Sequence, residues 1–167
     1  DATGGYRAFR RTALEALAAR DDLHGVRLYH LHTSGPFPFT APGLKERFRS
    51  VSLFVGEPLR RAVADGDADF IPVFLADIPD LFRSGAIPLD VALVQVSAPD
   101  IHGLCSLGTS VDTALAAVRS ARLVIAEIND RLPRTHGNTV VPIERVTAFV
   151  RTSRPMPAHA ADAPGEV

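Results

Sequence analysis

Two apolar runs, VALVQV at residues 91–96 and LVIAEI at residues 123–128, each with a single polar residue, constrain this chain more than any other feature. A strand with one wet face alternates apolar and polar residues, whereas a strand covered on both faces by helices reads as a continuous apolar run. Each run opens into a polar, glycine-punctuated stretch, and residues 111–120 between them have helical spacing. Strand, helix and strand in that order predict a right-handed crossover between parallel strands, with both following loops at one sheet edge. In open α/β sheets that carboxyl edge is where ligands sit. Ser97, Asp100, His102, Ser106 and Ser110 lie on the first loop.

The rest of the chain fits the same alternation. Residues 6–20 carry Phe9, Ala13, Leu14, Leu17 and Ala18 at helical spacing, followed by Gly25. Strands are expected at 26–31, 51–55 and 70–73, with one or two more from 140–143 and 146–150. Helices are expected from Glu57-Pro58 through Val63 and over 77–82, the latter stopped by Gly85. The order predicts an α/β domain with a largely parallel sheet flanked by helices. Residues 151–167 hold Pro155, Pro157 and Pro164 among small and polar residues, so the domain is expected to span 1–150 and the remainder to be a tail or interdomain linker.

At 167 residues, 46% hydrophobic and 22% charged, the chain suffices for one core. A net charge of -1 without a basic cluster argues against a nucleic-acid or anionic-membrane surface. A single cysteine excludes an internal disulfide and favours a reducing compartment, and no apolar run reaches the length of a membrane span. A cytoplasmic protein is expected.

The polar residues admit plain and chemical readings. Ser106 and Ser110 could satisfy backbone groups at the start of the following helix, with Thr109 and Asp112 at capping-box spacing. His102 could polarise a carbonyl or bond a loop carbonyl. Cys105 with His102 could form a thiol site, which requires a stabilised thiolate. His30 and His32 share a strand face, but no third ligand has telling spacing, and no metal is expected. Asn129, Arg134 and Thr135 follow the second strand. Arg134 could meet a substrate carboxylate or phosphate, or pair with Glu127, Asp130 or Glu144.

VSAPDIHGLCSLGTSVD (residues 96–112) and IAEINDRLPRTHG (residues 125–137), with their spacing, resemble signature stretches of the N-terminal half of the acetyl-CoA hydrolase/transferase family, which includes 4-hydroxybutyrate and acetate CoA-transferases. FVGEPLRRAVADGDADFIPVFLADIPDLF and GAIPLDVALVQVS extend the resemblance over about residues 44–150. Ala98 and Leu104 stand where the family usually has proline and an aromatic residue. The resemblance implies a CoA-transferase-like (NagB/RpiA-like) domain and a two-step transfer through a glutamyl-CoA thioester. The catalytic glutamate is then expected on a second, C-terminal domain, in the same or a separate chain; none of Glu15, Glu46, Glu57, Glu127, Glu144 or Glu166 sits in a matching motif.

It further implies an acyl-CoA and a short carboxylic acid as substrates, no permanently bound cofactor, and a homo-oligomer. Ser97, Asp100, His102, Gly103, Ser106, Gly108, Asn129, Arg134 and Thr135 are the candidates for the CoA cleft, with the 103–108 turn suited to lining it with backbone N–H groups. Valine at Gly103 or Gly108 is expected to harm turnover more than folding. A noncatalytic binding or assembly module that retained the fold is the competing reading.

Overall fold

The computed structural model describes residues 17–31 and 37–156. Most of the helix expected over 6–20, together with His32, lies outside them; Leu17 and Ala18 are helical. The described strands are β1 (Val26–His30), β2 (Phe48–Ser52), β3 (Asp69–Phe70), β4 (Val91–Val96), β5 (Leu104–Ser106), β6 (Leu123–Asn129), β7 (Val140–Pro142) and β8 (Ala148–Thr152). The helices are α1 (Glu57–Ala64), α2 (Ile78–Arg83) and α3 (Ala114–Ser120).

The expected α/β architecture with parallel strands and flanking helices is present. Its hydrogen-bonded ladders divide in two: β1-β2-β3 and β4-β6-β8, both parallel throughout, with a small antiparallel ladder of β5 and β7 beside them. The two apolar runs form the heart of the second sheet, in register from Val91↔Leu123 to Val96↔Ile128. Val94, Val96, Val124, Ala126 and Ile128 are buried there against Ile78 and Phe82 of α2 and the apolar residues of α3. α3 buries residues 114–118 in succession, so it sits inside the core rather than on it.

The strand expected at 70–73 is reduced to Asp69–Phe70, and three other boundaries differ from expectation for physical reasons. β2 starts and ends three residues early: Arg49 points outward to Asp69, while the Ser52 hydroxyl donates to the Phe54 carbonyl at 2.6 Å and turns the chain. α3 starts at Ala114 rather than 111. Its first N–H groups are received by Asp112 Oδ1 and not through a Thr109–Asp112 box, with Ala114 N at 3.2 Å. The domain edge placed at Val150 falls inside β8, which continues to Thr152. Beyond it, Arg154 returns to the buried carboxylate of Glu127, so the packed chain extends at least four residues into the stretch expected to be tail or linker.

Candidate functional site

Because β4 and β6 are adjacent and parallel, the loops after Val96 and Asn129 leave from the same edge, as the crossover argument requires. Side chains and backbone then bind them into one unit. Ser97 N–H donates to the Ser106 carbonyl at 2.8 Å, and the Ser97 hydroxyl accepts from Ser106 N–H at 2.9 Å. Asp100 Oδ1 accepts from the N–H groups of His102 and Leu104, both at 2.9 Å. Its other oxygen meets Arg134 Nη2 at 2.6 Å, while Arg134 Nη1 donates to the Leu104 carbonyl at 2.9 Å. Arg134 thus spans the two loops. Its partner is Asp100, not Glu127, Asp130 or Glu144.

Beneath that ion pair lies a hydroxyl cluster. Ser106 Oγ is fully buried, accepts from Gly108 N–H at 3.1 Å and Thr135 N–H at 3.2 Å, and lies 3.1 Å from Thr135 Oγ1 and 3.3 Å from Thr139 Oγ1. Thr135 Oγ1 donates to the Gly108 carbonyl at 2.8 Å. Residues 104–106 are therefore not free loop. They form β5, paired with β7, with Cys105 opposite Val141.

The candidates have different environments. Ser97, Ser106, Gly108 and Asn129 are buried; Gly103, Asp100 and Thr135 are half-buried; His102 is exposed and gives its backbone N–H to Asp100. Asn129 does not face outward: its amide donates to the Arg154 carbonyl at 3.0 Å, and its oxygen accepts from Arg154 N–H and Arg131 N–H, both at 3.1 Å. It extends the sheet by one side-chain rung. Ser110 is buried, and its Oγ has no hydrogen-bond partner, so it does not serve the helix start.

Glycine is required at two turns. Gly103 has φ +73° and Gly108 φ +66°. A Cβ at Gly108 would meet Leu132 Cγ and Cδ1 at 2.6 Å, so substitution there strikes the packing itself, contrary to the expectation that turnover would suffer first.

Cys105 is fully buried, and that burial pushes its thiol up, away from the thiolate; with His102 in solvent the thiol-enzyme arrangement does not form. His30 Nε2 is 2.6 Å from Ser50 Oγ in the interior. Among the described residues, no group of three or more His, Cys, Asp and Glu could hold a metal ion. No described helix is long and apolar enough to cross a membrane.

Asp100 is held below its ordinary carboxyl value of 3.8, chiefly by the N–H of Leu104, then by the N–H of His102 and the charge of Arg134. A carboxyl depressed on folding stabilises above its unfolded value, and that contribution is lost as pH falls through the folded one. Hydrogen-exchange protection of residues 100–106 is therefore expected to be flat from neutral pH down to about 5 and to decline below about 4. Asp100→Asn should remove that decline, and a variant that keeps it would assign the pH dependence elsewhere.

The arrangement is chemically a scaffold. On these loops the Ser97 and Ser106 hydroxyls and the Asp100 carboxylate are engaged with backbone, neighbouring hydroxyls or guanidinium, the Ser110 hydroxyl has no partner, and none is paired with a base as a nucleophile requires. What remains is a rigid edge of backbone groups, Arg134 and His102. The arrangement is a parallel α/β domain whose two edge loops are locked together at the carboxyl edge.

Residues 19–157 match the acetyl-CoA hydrolase/transferase N-terminal domain, and the chain belongs to that family. It is 43% identical over 134 residues to the succinyl-CoA:acetate/propanoyl-CoA:succinate CoA transferase of Fasciola hepatica, covering 80% of this chain and 28% of that protein. It is 40% identical to the 4-hydroxybutyrate coenzyme A transferase of Clostridium kluyveri, covering 82% and 32%. RipA from Yersinia pestis superposes with a TM-score of 0.80 at 28% identity, over 96% of this chain and 40% of that one. The chain spans about a third or less of the length of these two curated relatives.

Sequence reading missed Arg154, Thr139, Gln95 and the β5–β7 pairing. Arg154 sits in a proline-rich stretch without periodicity, and the partners of β5 lie more than thirty residues away, so neither left a local signal.

Proposed function

We propose that this chain is the CoA-cleft half of a CoA-transferase or acyl-CoA hydrolase. In this reading the protein moves CoA between short carboxylic acids, or to water, through a glutamyl-CoA thioester whose glutamate belongs to a second domain. The observation that carries it is the locked carboxyl edge, where Asp100, Arg134, Ser106 and Thr135 join two loops yet leave no base-paired nucleophile among them. The family match and the short coverage of the relatives support the division of labour.

The chemistry splits one displacement into easier ones. The glutamate carboxylate attacks the acyl-CoA carbonyl, and the CoA thiolate leaves to give an acyl-glutamyl anhydride. The thiolate then attacks the glutamyl carbonyl, expelling the donor carboxylate and forming the thioester. An acceptor carboxylate or water resolves it. The role of this chain is to hold CoA beside that glutamate. Arg134, 37% exposed at its side chain, supplies positive charge, and the 103–108 turn supplies backbone donors at the oxyanions. Ile101, 95% exposed at the tip of the first loop, and Phe74, 82% exposed, are apolar groups suited to cover by another domain. A cytoplasmic homo-oligomer using no permanent cofactor belongs to the same proposal.

Incubation with acetyl-CoA followed by intact-mass measurement tests it. The isolated chain should gain no mass. Assembled with its complementary domain, a CoA-mass adduct should appear on a glutamate of that domain. A CoA adduct on a glutamate of this chain would overturn the proposal.

A further inference from the structure

β8 ends the ladder β4-β6-β8, so among the described residues one of its edges is open. The Thr152 carbonyl accepts from Asp130 N–H at 3.1 Å, so Thr152 turns its backbone groups toward β6. Backbone groups of successive strand residues point to opposite sides. Ala148 and Val150 therefore face β6 as well, while Phe149 and Arg151 present N–H and C=O to the open edge. The strand is as long as β1, carries neither proline nor lysine, and is exposed from Ala148 to Arg151, with Phe149 at 50% and Val150 at 59%. The chain leaving it does not cover the edge: Arg154 turns inward to Asn129 and Glu127 of β6. On the strand itself the Arg151 guanidinium lies over the Phe149 ring, 5.7 Å from its centroid.

We propose that β8 is a self-association edge, at which two copies of this chain pair β8 with β8 antiparallel about a two-fold axis at Val150 and so join their β4-β6-β8 sheets into one. The register follows from the groups on offer. Centred on Val150, Phe149 of each copy faces the partner's Arg151. Both residues carry outward groups, so each of these pairs exchanges two N–H···O bonds. The same register sets each guanidinium opposite an aromatic ring, extending the contact within the strand to a cation–π pair across the axis. On the other face the two Val150 side chains meet at the closer, non-hydrogen-bonded spacing. Centring on Phe149 would place Arg151 opposite Thr147, whose N–H is already donated to the Val124 carbonyl, and centring on Arg151 would oppose like charges. A two-fold contact requires such a self-complementary patch. One strand pair buries less than the ~1,200 Å² of a stable complex, so the dimer is weak, with Kd on the order of 100 µM. This lateral edge is separate from the carboxyl edge of Asp100 and Arg134. The inference therefore stands without the CoA chemistry, and it names a surface for the self-association included in that reading.

The test follows the whole 167-residue chain by sedimentation equilibrium and amide hydrogen exchange from about 10 µM to about 1 mM. A monomer–dimer equilibrium is expected. Exchange at Phe149 and Arg151 should slow by about threefold or more across that range, while Val150 and Thr152, already bonded to β6, do not change. Phe149→Lys, which meets the partner's Arg151 with a like charge, should abolish the dimer, and Phe149→Glu, which meets it with an opposite charge, should keep it. A chain that stays monomeric at the top of the range, or two variants with the same effect, would overturn the proposal. Protection of Phe149 and Arg151 that is independent of concentration would give the edge to this chain's own residues. Loss of the dimer on adding the complementary domain, with Phe149 and Arg151 still protected, would give it to that domain. Either result overturns self-association through β8 and leaves the adduct test of the CoA reading untouched.

Discussion

Arg154→Ala is expected to lower the unfolding free energy by about 3–5 kcal/mol, toward the lower end because part of the guanidinium reaches solvent. Glu127 lies in the middle sheet strand with 2% of its side chain exposed. Arg154 Nε and Nη2 reach its two oxygens at 2.6 and 3.0 Å, and the Thr152 hydroxyl donates to one of them at 2.7 Å. Removing the guanidinium leaves a carboxylate in a nearly dry site with one neutral donor. Urea denaturation of the single variant and of Arg154→Ala combined with Glu127→Gln separates the causes: the double variant should recover a substantial part of the loss. A single-variant loss below about 1 kcal/mol would show that this pair behaves as a surface ion pair.

Gly108→Val carries the second large effect, a loss of about 2–5 kcal/mol from two independent sources. A left-handed φ costs a β-carbon-bearing residue about 1–2 kcal/mol, and forcing atoms into the buried Leu132 side chain costs about 1–3 kcal/mol. Leu132→Ala should relieve the steric part and leave the backbone part, so Gly108→Ala is expected to be better tolerated in a Leu132→Ala background than in the native chain. Gly103→Val should be milder, since its Cβ would stand 3.3 Å from Ile143 Cγ2. Thermal melts check the order; a Gly108→Val protein melting with the native one would remove the steric argument.

These two sites show what the residues themselves disclosed. The strands at 91–96 and 123–129 were legible as long apolar runs, although the expected burial on both faces holds only for their second halves, Val91, Leu123 and Ile125 being exposed, and their parallel adjacency follows from the helix between them. That brought Ser97, Asp100, Ser106, Arg134 and Thr135 to one edge without coordinates. Pairing was not legible. Arg134 had three nearer acidic residues to choose from, yet the partner is Asp100 on the other loop, since only the fold sets which loop lies opposite. Asn129 read as a cleft residue because it ends a strand at the ligand edge, but a buried amide there is more useful holding Arg154. β2 was misplaced because its outward arginine hides an amphipathic strand, and the break between the two sheets has no signature in either flanking strand.

The antiparallel β5–β7 ladder has an entropic meaning. It fastens the ends of two loops that would otherwise be independent tethers, with Leu107 N–H on the Thr139 carbonyl and Ile143 N–H on the Gly103 carbonyl closing it at either end. Ordering a loop residue costs about 1–2 kcal/mol of backbone entropy. In this fold that ordering is completed when the chain folds, so under the proposed function CoA would meet an edge already ordered, and the entropy of closing these loops would not be charged against its binding.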